Sequence, residues 1–169
     1  MVRKKTSVLR EDVKLSKNFY LSEFTKSKTA DALGISNDPP ESVVEVIRWV
    51  AENVAQPLRD KVGKPVHITS GYRSPKLNSA PAVGGVKDSY HLYEDGAFAF
   101  DFVIPSLSLI ETMDLLKELS LPITKAILEI DQGVVHVQGK RPEYLARDLV
   151  AGKKVYVTFN TYKEKGSVV

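Results

Sequence analysis

Val43, Ile47, Val50, Val54 and Leu58 recur at spacings of four, three, four and four, a period that fits an amphipathic helix with one buried face. Pro40 suits the first turn of that helix and Gly63 its end. Pro57 falls late in the run and predicts a kink or an early stop, because proline lacks an N–H and crowds the carbonyl four residues back. Trp49, next to the stripe, reads as core or edge packing. Such a helix needs a core to lean on, and 169 residues with 43% hydrophobic content are enough for one core and short for two.

The remaining segments are short. Residues 21–24 and 29–33 read as helical pieces, followed by the turn-rich Ser36-Asn37-Asp38-Pro39. Residues 65–69 and 97–104 read as strands, the second stopped by Pro105. Ser108 with Glu111 three residues on forms a capping-box pattern for a helix to about Leu119. Residues 125–130 and 134–137 read as strands of a hairpin around Asp131-Gln132-Gly133, followed by a helix over 142–150 and a strand over 154–159. The class is α+β, one compact domain with a mixed or antiparallel sheet and flanking helices. It is expected to span residues 17–159, after a basic N-terminal arm over 1–16 and before a tail over 160–169.

The absence of cysteine removes disulfides, thiolate metal sites and cysteine nucleophiles together, so a metal here must use nitrogen and oxygen ligands. No apolar run approaches the roughly 18 residues of a membrane span, and the basic start Met1-Val2-Arg3-Lys4-Lys5 has no apolar stretch after it. The expectation is therefore synthesis in the cytoplasm without a signal peptide or membrane insertion. A net charge of +3 is compatible with an anionic surface and equally with ordinary surface lysine. Basic residues are not interleaved with aromatics, so nucleic acid is not an expected partner.

Of three histidines, His67 lies between Val66 and Ile68 in an expected strand and reads as structural. His91 follows the polar Asp88-Ser89, and His136 precedes Gln138-Gly139. With Asp101 they offer two imidazoles and a carboxylate, a set that holds Zn²⁺ and leaves a coordination position open.

Ser70-Gly71-Tyr72-Arg73-Ser74-Pro75, Leu77-Asn78, Val83-Gly84-Gly85, Ser89-x-His91, Ala99-x-Asp101 and Val134-Val135-His136-Val137 follow one another in an order that resembles the M15 zinc peptidases. That family includes D-Ala-D-Ala carboxypeptidases and phage L-alanyl-D-glutamate endolysins, with a fold shared with the hedgehog signalling domain. The resemblance covers about residues 20–138. It implies Zn²⁺ as cofactor with His91, Asp101 and His136 as ligands. Arg73 matches the arginine that faces substrate, where a guanidinium can fork onto a carboxylate or steady an oxyanion. Ser89 belongs to the motif that orients the first histidine, Tyr72 is placed beside the substrate, and Gly71, Gly84 and Gly85 serve backbone turns.

The pattern departs from the family in four places. Between His91 and Asp101 there are about three residues more than usual, so the ligand loop must bulge. Ser79-Ala80-Pro81-Ala82 is a small insertion expected to alter the cleft rim. Val134 replaces an aromatic residue. Gly133 stands where many relatives carry an acid three positions before the last histidine. If Gln132-Gly133 is a two-residue turn, Glu129 lies directly opposite His136 and becomes the candidate base, with Asp131 on the same face as the alternative.

The resemblance thus implies a zinc metallopeptidase acting on peptidoglycan stem peptides, a carboxypeptidase or an endolysin. It would work as a monomer, reaching the wall after lysis or as part of a virion. The second reading is a binding or phage structural protein that keeps the fold and the metal without catalysis.

Overall fold

The computed structural model describes residues 11–160; most of the expected arm and tail lie outside them. Three strands form an antiparallel centre: β1 (His67–Ser70), β2 (Ala97–Val103) and β4 (Val134–Lys140), with β3 (Lys125–Glu129) also antiparallel to β4. The fifth, β5 (Thr158–Asn160), joins parallel to β3, giving the order β1-β2-β4-β3-β5. The mixed sheet with flanking helices is the expected α+β class. β5 is shorter than expected, because only its three residues find ladder partners on β3; Tyr156 and Val157 before it are exposed.

Period-2 alternation divides the sheet into two faces. On one, Phe98, Phe100 and Phe102 of β2, Ala126 and Leu128 of β3, and Val135 and Val137 of β4 join a single hydrophobic core. Phe24 meets Phe100 edge-on at 5.9 Å between ring centroids, and Trp49 lies 5.8 Å from Phe98. The other face carries Asp101, Ile127, Glu129 and His136 and floors an open cleft.

The short helices α1 (Leu21–Thr25) and α2 (Lys28–Leu33) precede the long helical run, which starts as α3 (Glu41–Val50) and continues through a π-helical stretch, Ala51–Ala55, into α4 (Gln56–Val62). Pro57 neither stops nor shortens this run. The wider turn just before it carries the Gln56 N–H to the carbonyl of Ala51, five residues back, and the helix absorbs the missing proline donor there. Val43, Ile47, Val50, Val54 and Leu58 are all buried. The packed chain starts before residue 17: Leu15 is 4% exposed within the core, and Lys14 bridges Tyr20.

After β1 come α5 (Pro75–Asn78), then α6 (Leu109–Glu118), whose capping box forms as Ser108 and Glu111 each accept the other's backbone N–H. The last helix, α7 (Pro142–Val150), is tied to β4 by Asp148, which accepts from Lys140 at 2.7 Å and from Lys153 at 3.0 Å. These two bonds push the Asp148 carboxyl down to about 2. The folded state therefore binds this proton less readily than the unfolded chain, so the tether's contribution is complete above the ordinary aspartate value of 3.8 and is lost as pH falls through about 2. Denaturant unfolding between pH 5 and 2 is expected to be less steeply pH-dependent in Asp148→Asn than in wild type.

Candidate metal centre

The Ser-Gly-Tyr-Arg-Ser-Pro segment owes its residue types to a tight crossing of chains. Gly71 lies against α1 so closely that a Cβ there would stand 2.4 Å from the Phe24 carbonyl oxygen, which only glycine avoids. That same carbonyl accepts from the Tyr72 N–H at 2.7 Å. Asn37 clamps the segment from outside, donating to the Tyr72 carbonyl at 2.9 Å and accepting from the Ser74 N–H at 2.7 Å. Ser74 then caps α5, and Pro75 takes its first position.

Held in this way, the Gly71 carbonyl accepts from His91 Nδ1 at 2.6 Å. His91 therefore carries its proton on Nδ1 and turns the Nε2 lone pair toward Asp101, whose Oδ1 lies 3.8 Å away. Burial at 5% exposure lowers the His91 pKa to about 4, which keeps the imidazole neutral and available as a ligand. Ser89, expected to orient the histidine, accepts from its backbone N–H at 3.2 Å; the ring itself is set by Gly71.

The inserted residues between His91 and Asp101 do bulge. A 3-10 turn over Tyr90–Leu92 is followed by a second over Glu94–Gly96, with Tyr93 and Asp95 in the left-handed region at φ 57° and 50°. Tyr93 is buried, and its hydroxyl donates to the Ala99 carbonyl at 2.9 Å. The extra chain is thereby fastened to the strand that carries Asp101.

Asp101 and His136 are direct partners across β2 and β4. His136 Nδ1 lies 2.7 Å from Asp101 Oδ1, while its Nε2 lies 3.0 Å from Gln138 Oε1. A proton on Nε2 is donated to the Gln138 carboxamide oxygen and turns the Nδ1 lone pair toward Asp101, the form a metal on Nδ1 requires; a proton on Nδ1 is donated to the Asp101 carboxylate instead. Burial pushes the Asp101 carboxyl up, but the His136 hydrogen bond, the neighbouring imidazoles and the Arg73 guanidinium outweigh it, so the group ends below its ordinary value. His91, Asp101 and His136 each present one donor atom within 4.8 Å of the others, all three side chains being buried. Two neutral imidazoles and an ionised carboxylate fit Zn²⁺ by number and chemistry.

Arg73 stands at the edge of this group, half-buried, with Nη2 3.9 Å from Asp101 Oδ2 and 3.4 Å from the Ser70 hydroxyl. Burial lowers its pKa, and the charges of Asp101 and Glu129 offset part of that; a guanidinium stays cationic under such a shift. Thr69, at the irregularity in the β1–β2 ladder, donates to the Asp101 carbonyl at 3.1 Å. Tyr72 lines the cleft but is 4% exposed and packs edge-on against Tyr93. His67 is exposed on β1 and stands outside the metal group.

The hairpin carrying the candidate bases differs from expectation. A 3-10 turn, Ile130–Gln132, with Gly133 left-handed at φ 66°, makes the connection four residues rather than two. Ile127 therefore opposes His136, and Glu129 opposes Val134. Glu129 keeps the face of His136, one diagonal step away, half-buried in the cleft wall. Asp131 sits in the exposed turn. A side chain at position 133 would be strained at that φ, which suits glycine there. The sequence reading passed over Gln138 and the Gly71 carbonyl. The signal for Gln138 was its position two residues after His136 on one strand face.

A family model described as Peptidase M15 matches residues 17–138. No curated protein and no solved structure matches the chain.

Elemental analysis of the purified protein is expected to find one zinc per chain, with His136→Ala and Asp101→Ala each losing it. Gly71→Ala, which drives a methyl into the Phe24 backbone, is expected to lower stability by about 1–3 kcal/mol in urea unfolding. It should also weaken zinc retention against a chelator.

Proposed function

Because the chain belongs to the peptidase M15 family, we propose that it is a zinc-dependent peptidase that hydrolyses peptidoglycan stem peptides. The observation that carries this reading is the convergence of His91 Nε2, Asp101 Oδ1 and His136 Nδ1 on the floor of an open cleft of about 1340 Å³, large enough for several peptide residues. Zinc bound there supplies Lewis acidity, which polarises a peptide carbonyl and acidifies water.

The chain's own groups divide the remaining work. Glu129 takes the proton of the attacking water on a carboxylate oxygen and returns it to the nitrogen of the leaving amine. Its place on the cleft face, shared with His136, supports that role over Asp131 in the exposed turn. Arg73 holds negative charge on the substrate: a guanidinium forks onto a terminal carboxylate, or onto the oxygen that gains charge as the carbonyl is attacked. The Gly71 carbonyl and Gln138 keep the two imidazoles in the tautomers that present lone pairs to the metal. Among the described residues no helix is long and apolar enough to cross a membrane. Action on the wall after lysis or from a virion remains part of this proposal.

The test pairs zinc content with release of new amino groups from purified peptidoglycan. Wild type is expected to hold stoichiometric zinc and cleave. Glu129→Ala is expected to keep the zinc and lose about 10²–10⁴-fold in rate, with Asp131→Ala close to wild type. Stoichiometric zinc without cleavage would instead point to a binding protein of the same fold, and absence of zinc would overturn the reading.

A further inference from the structure

Lys125 opens β3 on the cleft face, two residues before Ile127 and four before Glu129. Its partner across the antiparallel ladder is Gln138, so the two side chains stand together with Cβ atoms about 5 Å apart. Both are half-buried and line the cleft. With His136 protonated on Nε2, as a metal on Nδ1 requires, the Gln138 carbonyl oxygen is taken up by His136, which leaves its NH₂ as a pair of donors facing elsewhere. The Lys125 ammonium has no hydrogen bond or ion pair among the described residues. By contrast, half-buried Lys140, at the end of the adjacent strand, is neutralised by Asp148 at 2.7 Å.

The Lys125–Gln138 pair lies two residues along the ladder from Ile127–His136, a step of about 7 Å at the usual strand rise. Glu129–Val134 lies two residues the other way. The cleft floor is thus polarised, with a carboxylate on one side of the metal ligands and, on the other, donors that have no partner among the described residues. One ammonium and one neutral amide match a carboxylate, which has a single charge and two oxygens. About 7 Å is the reach of two extended peptide residues.

We infer that Lys125 and the Gln138 amide form an anion subsite that reads a free carboxylate on the peptide within two residues of the scissile bond. The inference rests on the peptidase reading. It names Lys125 as the residue that separates acidic from neutral substrates, a task distinct from that of Arg73 beside Asp101.

The experiment uses two synthetic stem pentapeptides that differ only in whether the α-carboxylate of their glutamate is free or amidated. With the zinc-loaded protein, KM is expected to be about tenfold lower for the free-carboxylate peptide at similar kcat. Lys125→Met should bring the KM ratio close to one, Lys125→Glu should invert it, and Lys125→Arg should restore it. A wild-type ratio near one, or a ratio that survives in Lys125→Met, would overturn the subsite. If wild type cleaves neither peptide, the peptidase reading fails separately, and titration calorimetry with the same preparation and peptides decides the subsite. Tighter binding of the free-carboxylate form that is lost in Lys125→Met upholds it; equal binding, or none, overturns it.

Discussion

A carboxylate buried between two strands of a sheet is the constraint around which this molecule is arranged. Asp101 is 6% exposed on β2, in a strand otherwise made of alanine, phenylalanine and valine. An ionised group there is tolerable only with partners close at hand. The β2–β4 register supplies one by placing His136 directly opposite, and His91 and Arg73 complete the surround. Slipping that register by one residue would turn His136 into the phenylalanine core and leave Asp101 without its nearest partner. The aromatic face and the polar face therefore enforce the same pairing.

The scaffold around the ligands is built from backbone as much as from side chains. The Gly71 carbonyl selects the His91 tautomer, and it can approach because α1 and the Gly71 backbone touch with no side chain between them. Tyr93 secures the enlarged ligand loop through one buried hydroxyl. The Gly71 contact lies outside the donor atoms themselves, yet it decides which nitrogen of His91 is offered to a metal.

The same two-residue period that separates core from cleft distributes charge along the cleft floor. Glu129, Ile127 and Lys125 alternate with core residues on β3, as Val134, His136 and Gln138 do on β4. An acid, a ligand level and a basic level therefore come in sequence along one sheet face.

Much of this was legible in the sequence. The stripe from Val43 to Leu58, the capping box at Ser108 and Glu111, and the helix over Pro142–Val150 are local patterns, fixed by period, caps and propensity. His91, Asp101 and His136 were picked out by the order of motifs that resembles the M15 peptidases, and the fold brings the three together. Tertiary structure decided the rest. The number of residues in the turn before Gly133 set which residue of β3 faces His136, and a turn's conformation is not written in hydrophobic period. The π-helical accommodation of Pro57, the burial of Leu15 and the bond from His136 to Gln138 depend on neighbours or on geometry that no local pattern encodes. The sequence by itself determined which groups could do chemistry and which elements carry them; only the packed fold decided their register and their tautomers, because those are settled by pairing and close approach across the chain.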